Sequence, residues 1–329
     1  MPPLVASAPA ATLSLTDDLG TALHGDGPEL TRLYGAQPAG RRDRLLTLLA
    51  IYDLHTAPLE TLGDSARHQH HPVVADLKGR LEREWLTELE VAWHDAGALA
   101  EATTPEQARK AMRAVAARDR LPMAYRWLAK EASYDELVAF LALEGGPDGG
   151  FDDLVAACQI GLSGSAKLEL GKNYWDEMGQ GDSAGVHTVL HQQMAKALKL
   201  PHLTREQQPT AALERSALGG LFATNRWLQP EMIGALGLLE LQAGPRCRLV
   251  LQGLDRVGAP AEAYPFYVEH AEVDPVHGKD WLDKAVLPLV EQHPSWGPRI
   301  IKGAWWRSTL NLAFFAAAHD QLITERSAA

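Results

Sequence analysis

The chain has 329 residues, enough for two domains or for one large domain with an appendage. With 46% apolar residues, 22% charged residues and nine Trp it is globular, which excludes a disordered tail or a low-complexity filament. Its 42 acidic and 31 basic residues give a net charge of −11, the wrong sign for gripping nucleic acid or anionic lipid, and two Cys, Cys158 and Cys247, are too few for a disulfide framework or a thiolate cluster, which fits a reducing compartment.

The N-terminal residues have no basic segment and no sustained apolar run, so 1–38 reads as a loose tail and not as a signal peptide. The apolar stretch from Leu310 to Ala318 falls far short of the roughly 20 residues a bilayer span needs, and the expectation is a cytoplasmic protein with no membrane partner. Strand signatures are scarce, whereas a 3.6-residue period recurs from about residue 40, which predicts an all-α fold. Helices are expected over about 40–54, 73–99, 105–117, 122–130, 134–144, 150–161, 164–177, 184–199, 210–218, 231–254, 259–278, 279–292 and 300–324. Thr104-Pro105 offers an N-cap followed by Pro at the first helical position, and Leu121-Pro122 reads as another start. The run from Gly145 to Gly150, interrupted by Pro147, predicts a turn between two helices. Residues 39–119, rich in Arg, Glu and His, read as an N-terminal helical region placed before a core of 120–329.

The sharpest chemical signal is His270, Asp274 and His277. At about 100° per residue these positions fall at about 0°, 40° and −20°, so two imidazoles and a carboxylate share one helical face. That donor set suits ferrous iron with open positions. Pro275, between the ligands, removes a helical hydrogen bond and predicts a kink. The second signal is Glu177 and His187. Ten residues leave them about 80° apart on a regular helix, so the helix is expected to be distorted between them, where Gly179, Gly181 and Gly185 make a bend cheap. His191, one turn on, is a rival to His187. A third helix offers Glu144, an acid at the apolar end of Ala139 to Leu143 where the pattern asks for a core residue; Glu131 and Glu136 are weaker competitors.

Glu144, then Glu177 with a glycine-rich spacer to His187, then the His-x₃-Asp-x₂-His run from His270 to His277, resembles the haem-oxygenase-like di-iron oxidases and oxygenases, known as iron-containing redox enzymes. The resemblance covers about residues 125–315 and none of the N-terminal region. It implies a haem-oxygenase-like helical bundle, two Fe²⁺ per chain held by Glu144, Glu177, His187, His270, Asp274 and His277, and no catalytic residue beyond these ligands. It further implies O₂ as co-substrate, a small-molecule substrate, a place for an external electron donor, and a homodimer. Members oxygenate the nitrogen of amines or amino acids, or carry out oxidative C–C cleavage, decarboxylation or desaturation. N-oxygenation of a small polar substrate is the leading expectation. A metal-dependent hydrolase and a non-enzymatic helical metal-binding protein are more distant alternatives. No His in the chain has Glu three residues before it, so the Glu-x-x-His pairs of ferritin-like bundles are absent.

Other features take plainer readings. Trp305, Trp306, Phe314 and Phe315 read as core, Arg246 and Arg248 as surface ion-pairing residues before a substrate clamp, and Tyr174 and Tyr267 equally as core or as supports for the ligands.

Overall fold

The computed structural model describes residues 14–25, 28–97, 101–145 and 150–328. Residues 1–13 of the expected tail and 146–149 of the expected glycine turn lie outside them. The described residues are helical with no strand, as the periodicity predicts, and their one β-type pairing is a bridge between Met178 and Val186. Among the described residues no helix is long and apolar enough to cross a membrane. Contacts divide the chain into two units, Met1–Trp85 and Leu86–Ala329.

The first unit contains α1 (Leu15–Leu23), α2 (Pro28–Thr31), α3 (Arg41–Thr56), α4 (Leu59–Leu62) and the first half of α5 (Pro72–Asp95). Residues 15–23 are therefore helical where a loose tail was expected. Ser14 caps α1 in a reciprocal box with Asp17, and the buried Asp43 of α3 accepts from the backbone of Leu15 and Thr16 at 3.0 and 3.1 Å. Leu15, Leu19 and Leu23 are buried, which supplies the packing that a nine-residue helix needs to persist.

The second unit continues with α6 (Pro105–Arg118), α7 (Met123–Lys130), α8 (Tyr134–Glu144), α9 (Phe151–Cys158), α10 (Gly164–Glu177) and α11 (His187–Leu198). After these come α12 (Thr210–Thr224), α13 (Gln229–Val257), α14 (Pro265–Asp280), α15 (Leu287–Gln292) and α16 (Trp296–Ala328). Thr104 caps α6 and Ser133 caps α8, each in a capping box. Residues 86–119 belong with this unit and not with the N-terminal region. α6 buries Met112 and Val115 beside α13 and α16, and the Trp306 indole donates to the Leu89 carbonyl at 3.2 Å.

α13 is buried along most of its length and packs against α14, α16 and α7, so it is the axis around which the unit is built. Trp306 and Phe314 are fully buried and Phe315 nearly so, which places them in the core as expected. Each such side chain contributes about 1.5–3 kcal/mol by leaving water. α14 starts later than its periodicity predicts, at Pro265, because Gly258 ends α13 at φ +67° and a short 3₁₀ turn, Ala261–Ala263, intervenes. It passes straight into a π-helical turn, Trp281–Val286. Such turns often sit beside functional sites.

Candidate metal centre

Glu177 and His187 lie on two separate helices, where one distorted helix was expected. α10 ends at Glu177 and α11 begins at His187. Between them Gly179, Gln180 and Gly181 take φ of 60°, 54° and 92°, and the Met178–Val186 bridge closes the turn. A Cβ on Gly179 would lie 2.5 Å from the Gly185 carbonyl carbon, so the two strands of the turn approach as only glycine permits. A bend inside a helix would leave the two side chains on different faces. A closed turn sets the last residue of one helix against the first of the next, with Glu177 Oε2 2.7 Å from His187 Nδ1.

α14 supplies His270, Asp274 and His277, all three turned into the unit as their common face predicts. The helix continues through Pro275. Proline has no N–H for the carbonyl four residues earlier, and Arg248 Nη2 donates to that carbonyl, Ala271 O, at 2.8 Å. The Pro275 ring in turn occupies the space where Gly244 lacks a side chain: a Cβ there would sit 2.9 Å from Pro275 Cγ and Cδ. One turn on, a Cβ at Gly278 would meet Glu240 O and Leu241 Cα at 2.8 Å. These two contacts bring α13 and α14 close enough for Glu240 to join the His277 side of the site.

The donors converge in two groups, Glu177 with His187 and His270, and Glu177 with Glu240 and His277; the ligand atoms of each lie within 4.8 Å of one another. Glu177 belongs to both. His277 Nε2–H donates to Asp176 Oδ2 at 2.9 Å, and Gln180 donates to the other oxygen of Asp176 at 2.8 Å. That fixes the His277 tautomer and leaves its Nδ1 as a lone pair 3.6 Å from Glu240 Oε2 and 3.8 Å from Asp274 Oδ1. His270 is fixed the same way, its Nδ1–H donating to Phe266 O at 2.7 Å. Asn173 donates to Glu240 Oε1 at 2.8 Å.

The electrostatics suit a bound cation. Burial raises the pKa of Glu240 to about 8, with Glu177 adding to it, and burial followed by Glu240 and Glu177 drives Asp274 well above the usual carboxylate range. Burial, with the neighbouring His187, lowers His270 to about 4, so its imidazole is neutral and able to ligate. For His187 burial lowers the pKa, and the Glu177 carboxylate more than reverses it. Four buried polar atoms of the cluster have no hydrogen-bond partner: His187 Nδ1, which is out of line for donation to Glu177, His277 Nδ1, Asp274 Oδ2 and Asn173 Oδ1. Buried orphans of this kind are costly, and three of the four belong to the candidate donor side chains. Three imidazoles with three carboxylates form the mixed N/O set that divalent iron accepts, so the residues fit that metal.

Five of the six residues singled out in the sequence, Glu177, His187, His270, Asp274 and His277, thus meet in one place. Glu144 faces the same cavity from α8, half-buried, but belongs to neither convergent group and accepts a hydrogen bond from the Tyr125 hydroxyl. His191 also lines the cavity, against the Phe266 ring, outside both groups. Glu240 is the residue that sequence reasoning missed. It lies inside an apolar helix, the one sequence signal for it, and that signal does not say which neighbour the acid meets. Arg246 is buried where it read as a surface residue; Arg248 is exposed as expected and donates to the Ala271 carbonyl. Tyr267 is buried and lines the cavity.

The cavity holds about 410 Å³, within the usual range for a small-molecule site, and opens onto Glu177, His187, Glu240, His270 and Asp274. No curated protein matches the chain in sequence. A family model described as iron-containing redox enzyme matches residues 138–311, more than half of the chain, from α8 to α16 and across every donor described above. The chain therefore belongs to the iron-containing redox enzymes, an oxidoreductase family of all-α, haem-oxygenase-like fold.

Proposed function

We propose that the protein is an O₂-dependent non-haem di-iron oxygenase acting on a small polar substrate held in the 410 Å³ cavity, with N-oxygenation of an amine or amino acid as its reaction. The observation that carries the two-metal reading is Glu177, which is common to two groups of converging donors and so would serve both ions. His187 and His270 would serve one ion and Glu240 and His277 the other, with Asp274 beside them. Glu144 is a further carboxylate lining the cavity, hydrogen-bonded by the Tyr125 hydroxyl. When bound, the iron pair supplies the redox couple through which O₂ oxidises a substrate.

The chain's own residues prepare that chemistry. Asp176 and the Phe266 carbonyl hold His277 and His270 in single tautomers, so their free nitrogens need no reorganisation to ligate. The raised pKa values of Glu240 and Asp274 mean that cation binding displaces protons from them. Leu141, Ala243, Val250 and Phe266 keep the cavity wall apolar and limit water next to the reacting groups. A homodimer and an external electron donor complete the reading.

The test is anaerobic reconstitution with Fe²⁺, iron counting, then exposure to ¹⁸O₂ with a panel of amines, amino acids, polyamines and fatty acids. Two irons per chain and label in a hydroxylamine or nitro product are expected. A shortened or unsaturated product would replace N-oxygenation by C–C cleavage or desaturation. Turnover that needs no O₂ would overturn the oxygenase reading altogether.

A further inference from the structure

The outer face of α10 is apolar where a solvent face is ordinarily polar. Leu168 and Trp175 stand seven residues apart on it, within about 20° of each other and ~10 Å along the axis at ~1.5 Å per residue. Two neighbours extend the strip. Ile160 follows α9 and is tied to α10 through Gln159, whose carbonyl accepts from Lys167 Nζ at 2.8 Å. Gln229 Nε2 donates to the Ile160 carbonyl at 2.8 Å, which brings up Trp227 two residues before it, and the Arg226 guanidinium lies against Gly161. Ile160, Leu168, Trp175 and Trp227 are between 53% and 76% exposed. Single exposed apolar residues are ordinary, but four large ones in one strip, two of them Trp, mark a surface that meets a protein partner.

Charge selects the kind of partner. Lys167 and Arg226 border the strip, both exposed, and among the described residues neither pairs with an acid. Lys172, between Leu168 and Trp175, lies 3.7 Å from the buried Asp280. The turn beyond Trp175 carries an exposed acid, Asp182, so the cationic border is at the Ile160 end. The chain as a whole has a net charge of −11. An acidic partner is therefore repelled by most of the molecule and drawn to this edge.

Position gives the partner its task. The inner face of the same helix ends in Glu177, the donor common to both groups. The Trp175 ring covers the turn that links Glu177 to His187: a Cβ on Gly181 would lie 3.1 Å from Trp175 Cη2. Next to it Asp176, its side chain 13% exposed, accepts from His277 Nε2 at 2.9 Å, so one hydrogen-bonded side chain separates a donor from this surface. Converting an amine to a hydroxylamine with one O₂ takes up two electrons and two protons and releases one water, and those electrons come from outside the chain.

We propose that the strip of Ile160, Leu168, Trp175 and Trp227 is the docking surface for an acidic one-electron-donor protein, with electrons entering beside Trp175 and Asp176 toward His277. The electron-donor role rests on the proposed di-iron function; the docking does not. In each encounter the reduced donor gives up one electron and one ferric ion becomes ferrous, with no bond formed or broken, so two encounters supply one turnover. Electron-transfer encounters use small interfaces with an apolar centre and a charged rim, which this strip and its two cations match.

Calorimetric titration of the metal-free full chain with an oxidised plant-type two-iron ferredoxin, an acidic one-electron carrier, tests the docking, with basic cytochrome c as control. The ferredoxin is expected to bind despite the like net charge. Lys167→Glu/Arg226→Glu should weaken it about tenfold or more, and Trp175→Ala about tenfold, while neither weakens binding of cytochrome c. After iron loading, reduced ferredoxin should return the ferric form to ferrous about tenfold or more slowly in the double variant, with reduction by dithionite and iron stoichiometry unchanged. No binding of ferredoxin by the metal-free wild type would overturn the docking surface, as would binding that both variants leave unchanged. A wild-type dimer in sedimentation that Trp227→Ala dissociates would overturn it too and give the face to a second copy. Ferredoxin that binds as expected but reduces the double variant as fast as the wild type would overturn electron entry here. Failure to bind iron would instead overturn the di-iron reading and leave the metal-free titration to decide the docking.

Discussion

Asp43 and Asp274 are both buried aspartates, and their surroundings are opposite. Asp43, in the first unit, accepts from the backbone N–H of Leu15, Thr16 and Ala39 and from the Thr16 hydroxyl, at 2.8 to 3.1 Å. Burial pushes its pKa up, those hydrogen bonds outweigh it, and the net shift is downward. Asp274, in the second unit, has one oxygen without any partner and two buried carboxylates, Glu240 and Glu177, close enough to repel it, so burial wins and its pKa rises. The first acid holds a helix start in place. The second belongs to a cluster that the protein leaves short of positive charge, which is the condition a metal site meets and a structural network avoids.

Four measurements break or sharpen that contrast. The largest effect belongs to His277→Ala: iron affinity should fall by more than the ~10–100-fold that losing a supporting residue costs, as read by iron counting after dialysis. Unchanged stoichiometry there would put the cluster in the same class as Asp43.

The next effect is on pH dependence. An acid whose folded pKa is raised makes the metal-free fold less stable as pH climbs from its ordinary value of 4.5 toward the folded value, about 8 for Glu240. Chemical denaturation of metal-free protein should therefore show stability declining across that window. Glu240→Gln should flatten part of the decline, and iron affinity should rise over the same range because ligation releases protons. Asp43 has the opposite sign. Its contribution is fully present above the ordinary carboxylate pKa and is lost as pH falls through its lowered one.

Asp176→Ala leaves every donor in place but frees the His277 ring, and should weaken iron binding by about 10–100-fold with little change in melting temperature. An equal loss of stability and of iron would reassign Asp176 to the framework. The smallest effect is that of Asp43→Ala, which strands several N–H groups and should cost about 1–3 kcal/mol in denaturant unfolding. Its iron stoichiometry should be that of the wild type; iron lost along with stability would blur the distinction between the two aspartates.

Much of this architecture is written locally. The helix spans from Arg41 to Ala328 follow from the 3.6-residue period and its caps, and errors concentrate where a turn depends on a single glycine, as at Gly258 before α14. α1 escaped notice because its stability comes from Asp43, a residue of another helix. His270, Asp274 and His277 were legible as a set because four- and three-residue steps on one helix fix a common face regardless of what the helix packs against.

Glu240 was not legible, since nothing within its own helix says which neighbour it will meet. Only the close approach of α13 and α14 at Gly244 and Gly278 sets it beside His277. The same holds for Glu177 and His187, whose glycines announced an irregularity without saying whether it would be a bend or a closed turn. By itself the sequence determined the donor types, their order along the chain and the face three of them share, all consequences of local geometry. Tertiary structure decided which donors converge, that Glu177 joins both groups, and that Arg246 faces the cavity and not solvent, because those outcomes depend on how closely separate helices can pack.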